Sequence, residues 1–142
     1  MDDYAQAARI AGEGLDAEVR RLEELRNRLE AGLLALAPDA AIFGYGAPRL
    51  PNTCLFAVPE TDATTLLMSL DLAGVAVSRG AACSSGKVAG SPVLAAMGAL
   101  TQGNVRITLP LAAVAPEREA AVAALVEQLP DVVATCRARL GL

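Results

Sequence analysis

The sequence predicts an α/β protein of the two-layer α+β kind, a small mixed or antiparallel sheet covered by helices. Three observations carry this: a leucine-rich amphipathic run opens the chain, short β-branched or aromatic stretches alternate with further helical patterns, and prolines and glycines punctuate the junctions. At 142 residues, 54% of them hydrophobic, the chain is long enough for one domain with a real core and short for two. One domain, residues 1–142, is expected, with a long helix over 1–37 and an α/β core over 38–142.

The helix comes first. Leu15, Val19, Leu22, Leu25, Leu29, Leu33 and Leu36 recur at steps of three and four and stop before Pro38. Asp16/Arg20, Arg20/Glu24 and Glu24/Arg28 have i,i+4 spacing on the polar side, so EVRRLEELRNRLE reads as a solvated scaffold face. After Pro38, AIFGYG and NTCLFAV read as two short strands that can pair as a hairpin, with Pro48 and Pro51 in the turn and Pro59 closing it.

Asp62 has the chemistry of an N-cap for TLLMSLDLA, Gly74 that of its stop, and VAVS (75–78) reads as a short β-branched strand. Ser91 and Pro92 look like the cap and first position of a helix VLAAM, stopped by Gly98. NVRITL alternates, with Val105, Ile107 and Leu109 on a core face and Asn104, Arg106 and Thr108 on the other. Pro116 opens a last helix, with Glu117 and Glu119 in its first turn, a kink or restart at Pro130, and Arg137 and Arg139 near its C-terminus.

Composition narrows the function. A net charge of −4 leaves no basic footprint, so neither nucleic acid nor an anionic membrane surface is expected as a partner. No apolar run reaches bilayer length, and the acidic start MDDYAQAARI is unlike a secretory signal, so a cytoplasmic protein is expected. Cys54, Cys83 and Cys136 are odd in number and far apart, which suits free thiols better than disulfides. They lack C-x-x-C spacing, so no metal site is expected of them. The sequence holds no histidine, which removes triads built on it, and its single lysine is Lys87.

One thiol stands apart. In RGAACSSGKVAGSPV, Cys83 sits among glycine, alanine and serine on a segment that cannot pack, a cysteine loop at 79–90. Arg79 and Lys87 stand four residues to either side, and nearby cations favour the nucleophilic thiolate. Cys54 and Cys136 lie in apolar strand and helix patterns and read as core.

PNTCLFAVPETDATTLLMSLDLAGVAVSRGAACSSG, followed by SPVLAAMG and GNVRITLP, resembles the C-terminal part of cysteine desulfurases, in the class V aminotransferase branch of fold-type I pyridoxal phosphate enzymes. The resemblance spans nearly the whole chain. It implies that Cys83 is the nucleophile that takes sulfur from L-cysteine as a persulfide, leaving alanine, and that Arg106 grips the substrate carboxylate. Arg106 suits this as a bidentate donor on the non-core face of an apolar strand. Asn52 matches the family's PN position, where a turn or strand-start role is expected.

The resemblance also implies pyridoxal phosphate held on a lysine of a large domain, a sulfur-acceptor protein such as an iron–sulfur scaffold, and a homodimer in the complete enzyme. The SSG loop looks like the long-loop subgroup that feeds such scaffolds. The family's large-domain motifs are absent here, and Lys87 does not occupy the cofactor lysine's position, so this chain is expected to need a large domain to act. LPLAAVAPE also departs from the glycine, aromatic and threonines of many relatives. Two alternatives stand beside the desulfurase reading: a non-catalytic carrier that accepts sulfur on Cys83, and the same domain of a class V relative in which Cys83 is incidental.

Overall fold

The computed structural model describes residues 2–77, 92–100 and 103–139. Its elements in chain order are α1 (Asp2–Gly12), α2 (Leu15–Leu36), β1 (Ala41–Ile42), β2 (Thr53–Ala57), α3 (Ala63–Leu72), α4 (Pro92–Ala96), β3 (Asn104–Thr108) and α5 (Arg118–Arg139). The three strands form one antiparallel sheet in the order β1-β2-β3. The expected hairpin is there, with Ala41 opposite Ala57 and Ile42 opposite Phe56. On the other side of β2, Thr53 faces Thr108, Leu55 faces Arg106 and Ala57 faces Asn104.

Strand alternation sends one set of side chains into the core. Cys54 and Phe56 of β2 and Val105 and Ile107 of β3 are buried together with Leu25, Leu29 and Leu33 of α2, Leu66 and Leu70 of α3, and Val122, Leu125 and Leu129 of α5. Cys54 and Cys136 are both buried free thiols within that core, as their patterns predict. The helices α2, α3 and α5 pack on this side of the sheet and against one another, which gives the two layers. Where α2 meets α5 the approach is close: a Cβ on Gly32 would lie 2.5 Å from Val126 Cγ1.

Local chemistry sets the element ends. Asp62 caps α3 by accepting from the Thr65 amide at 2.8 Å. Gly74, at φ +81°, closes that helix, and the Val75 amide donates back to Leu70 O at 2.8 Å. The same device ends α4, with Gly98 at φ +66° and the Ala99 amide on Leu94 O at 2.9 Å. Asn52 starts β2 as expected: Leu109 N donates to its carbonyl at 2.8 Å and Thr53 Oγ1 to its side-chain oxygen at 3.3 Å.

Four expectations are corrected. The helix expected over residues 1–37 is two helices, broken at Gly14, whose φ of +77° lies in the left-handed region. Of VAVS, residues 75–77 form no strand, because the Val75 amide is spent closing α3; Ser78 lies outside the described residues. The last helix begins at Arg118 and runs through Pro130 to Arg139 without a restart.

The fourth concerns the charged run of α2, which is not wholly solvated. Arg26 and Glu30 are buried, and both oxygens of Glu30 accept from Arg49 at 2.6 Å. Arg26 donates from Nη1 to Leu50 O at 2.9 Å. These bonds dock the loop before β2 onto α2, and a carboxylate satisfied at both oxygens tolerates burial. The ion pairs formed from the exposed face are Arg21–Glu24 and, across to α5, Arg21–Glu119, rather than the i,i+4 pairs the spacing predicts.

Candidate functional site

The second face of the sheet carries the site. Strand alternation and register place Ala41 of β1, Thr53, Leu55 and Ala57 of β2, and Asn104, Arg106 and Thr108 of β3 on the side away from the helical core. Burial is graded along it. Thr108 is exposed, Arg106 half-buried and Asn104 buried, while across the ladder Thr53 and Leu55 are half-buried and Ala57 fully buried. The face is open at the Thr108 end and closed at the Ala57–Asn104 end.

Among the described residues Arg106 is its one cation. Its Nε is buried with no hydrogen-bond partner, and its guanidinium forms no ion pair among the described residues. Arg26 and Arg137 also bury an Nε without an acceptor, yet each places an Nη on oxygen, Arg26 on Leu50 O at 2.9 Å and Arg137 on Asp39 Oδ2 at 2.5 Å. Arg106 is therefore a fixed positive charge beside apolar neighbours, with five N–H donors arranged for a planar anion such as a carboxylate.

The strand that holds it is fastened beyond its end. Glu18 of α2 accepts from the Ala112 amide at 2.9 Å and from both Nη atoms of Arg118, whose Nη1 also donates to Pro110 O at 2.9 Å. The Arg118 guanidinium, followed by the Ala112 amide, holds the Glu18 carboxyl well below its ordinary range, down to about 2. This clasp, made by Glu18 and Arg118, holds LPLAAVAPE at Pro110 and Ala112 and so fixes the chain after Arg106.

Cys83, with Arg79 and Lys87, lies outside the described residues, so the site's geometry rests on Arg106 and its face. The other two thiols do not serve as nucleophiles where they stand. Burial, and after it the Glu30 carboxylate, pushes the Cys54 thiol up to about 12. Among the described residues no three histidine, cysteine, aspartate or glutamate side chains gather to hold a metal, and no helix is long and apolar enough to cross a membrane.

Pyridoxal phosphate does not fit the described residues by themselves. Its aldehyde needs an amine and its phosphate a cradle of donors. The described residues contain no lysine, the sequence has no histidine, and the one cationic donor on this face among the described residues is Arg106. Asn104 was expected only to lie off the core face; nothing in NVRITL signals that its amide is buried.

No protein-family model matches the chain. Curated relatives do. A cysteine desulfurase of Enterobacter agglomerans is 38% identical over 119 residues, covering 82% of this chain and 29% of the relative. An IscS-like cysteine desulfurase of Mycobacterium tuberculosis is 39% identical over 137 residues, 94% of this chain and 34% of the relative. A cysteine desulfurase of Cereibacter sphaeroides is 38% identical over 136 residues, 94% of this chain and 33% of the relative.

Solved structures agree. A NifS-like protein from Rickettsia africae superposes with a TM-score of 0.68 at 27% identity, over 85% of this chain and 30% of that one. A second NifS-like protein gives the same TM-score and identity over 92% of this chain and 32% of that one. The chain spans about a third of the length of the relatives it matches. Similar in sequence over up to 94% of its residues and similar in fold, the chain belongs to the cysteine desulfurase family, as the counterpart of about a third of its members' length.

Proposed function

We propose that this chain is the sulfur-handling small domain of a cysteine desulfurase and works against a large domain that holds pyridoxal phosphate. The observation that carries the proposal is Arg106, a half-buried guanidinium without a partner among the described residues, on the open face of the sheet. Its task is to hold the α-carboxylate of L-cysteine, fixing the substrate's orientation through two parallel N–H···O bonds.

Cys83 is the nucleophile of this proposal. Its thiolate attacks the substrate sulfur, so that an S–S bond forms as the Cβ–S bond breaks. The electron pair of the broken bond leaves on Cβ, takes up a proton, and alanine results. Bound pyridoxal phosphate supplies the electron sink that makes the departure feasible. Cys83 is left as a persulfide, whose outer sulfur passes to an acceptor such as an iron–sulfur scaffold. The small residues around Cys83 suit a tether that must serve two places in turn.

The test is steady-state kinetics of the chain assembled with a separately expressed large domain. Arg106→Gln is expected to raise the KM for L-cysteine by about a hundredfold, the scale of a lost charge-assisted bidentate contact, and Arg106→Lys to recover part of it. An unchanged KM in both variants would remove Arg106 from substrate binding.

A further inference from the structure

We infer that Asn104 is a positioning residue for Arg106: its side-chain oxygen takes the Arg106 Nε–H when a carboxylate is held, and so aims both Nη groups at that carboxylate. The inference deepens the carboxylate role proposed for Arg106 and rests on it. Arg106 Nε and Asn104 Oδ1 are both buried, and neither has a hydrogen-bond partner among the described residues. Buried polar groups are costly to leave empty, and native proteins keep few of them.

Burial restricts what can answer them. Atoms that water does not reach are equally closed to a ligand or a second domain, so their partners come from within the chain. One orphan is a donor and the other an acceptor, and they belong to residues two apart on one face of β3, about 7 Å along the strand. An arginine stem turns back over that span by side-chain rotation alone. The other groups on the face offer no rival. Leu55 opposite Arg106 and Ala57 opposite Asn104 carry no hydrogen-bonding side chain. Thr108, the other β3 neighbour of Arg106 on this face, is exposed to water, and the Thr53 hydroxyl across from it is engaged with Asn52 Oδ1 at 3.3 Å.

Asn104 is the fixed member of the pair. Gly103, at φ +66°, carries the carbonyl that accepts from Val58 N at 3.3 Å, and a Cβ at Gly103 would lie 2.5 Å from Val58 O. The start of β3 is thus pressed against the end of β2, and the arginine is the member that moves. Asn104 stands at the closed end of the face, so an Nε–H turned toward it leaves Nη1 and Nη2 directed at the open end, where a carboxylate enters. The carboxamide is neutral, so it fixes the guanidinium and leaves its charge undiminished.

The test uses the chain assembled with the separately expressed large domain. Asn104→Ala is expected to raise the KM for L-cysteine about tenfold, the scale of one hydrogen bond to a charged group, with kcat unchanged. In an Arg106→Gln background the same change should leave KM where Arg106→Gln puts it, because Asn104 acts only through the arginine. An equal rise in both backgrounds would show a structural effect independent of Arg106 and overturn the inference. An unchanged KM in Asn104→Ala beside a raised one in Arg106→Gln would also overturn it while upholding the carboxylate role, and an unchanged KM in Arg106→Gln would overturn both. Wild type gives a second reading through a nitrogen-15 label at Arg106 Nε: saturating L-alanine, the product that keeps the carboxylate, should move the Nε–H proton downfield. A proton signal that stays in place would overturn the inference without recourse to any variant.

Discussion

Arg118, in the first turn of α5, donates from Nη2 to Oε2 of Glu18 on α2 at 2.9 Å, and its Nη1 reaches both the other carboxylate oxygen and Pro110 O. Two helices and the exit of the strand that bears Arg106 are joined at this one guanidinium. Arg118 is 4% exposed, so removing its counter-charge strands a buried cation. Glu18→Ala should cost about 2 kcal/mol of stability in urea unfolding, less than a fully buried pair because Glu18 keeps contact with water. A cost near zero would mean that the clasp is only a surface pair.

The same pair makes stability acid-sensitive. The Glu18 carboxyl is held down from 4.5 to about 2 in the folded chain, so its contribution is complete above the ordinary value and fades as the pH falls toward the folded one. The stability gap between wild type and Glu18→Gln should narrow between about pH 5 and about pH 2.5. A gap that stays constant over that window would contradict the assignment.

Gly103 and Gly74 separate steric blockade from mere backbone preference. Both have positive φ, but a Cβ at Gly74 meets nothing within 4 Å, whereas at Gly103 it meets Val58 O at 2.5 Å and Thr61 Oγ1 at 2.8 Å. Gly74→Ala should cost about 1 kcal/mol, the left-handed penalty alone. Gly103→Ala should cost at least about 2 kcal/mol more, since two backbone segments must part. Thermal unfolding of the two variants side by side checks the order.

The thiols should divide by reactivity. Cys54 is buried and its thiol is pushed up to about 12, first by burial and then by Glu30. A thiol reagent at about pH 8 should leave Cys54 and Cys136 unlabelled in the folded chain and reach them only in denaturant. Rapid labelling of Cys54 without denaturant would show that the loop docked by Arg49 opens readily.

What the sequence disclosed was local chemistry. Asp62 with Gly74, and Gly98 after VLAAM, are read correctly because a cap and a left-handed stop depend on residues within one turn. Arg106 stands out because alternation in NVRITL leaves it off the core face. The contacts that strain such a reading are distant ones. Nothing beside Glu18 announces Arg118 100 residues later, and Glu30 looks like any solvated helix glutamate until Arg49 arrives from a loop 19 residues on. The leucine spacing begins only at Leu15, and a lone glycine before it does not by itself reveal a left-handed break at Gly14; likewise the valine content of residues 75–77 does not reveal that an amide is already committed to a helix end.

The central claim is that Cys83 receives sulfur from L-cysteine, and intact mass reads it most directly. The chain is incubated with L-cysteine and pyridoxal phosphate, with and without the separately expressed large domain, beside Cys83→Ser. The account predicts a gain of one sulfur, confined to Cys83 and seen only when the large domain is present. No gain with the large domain shown to bind, or an equal gain in Cys83→Ser, would contradict it.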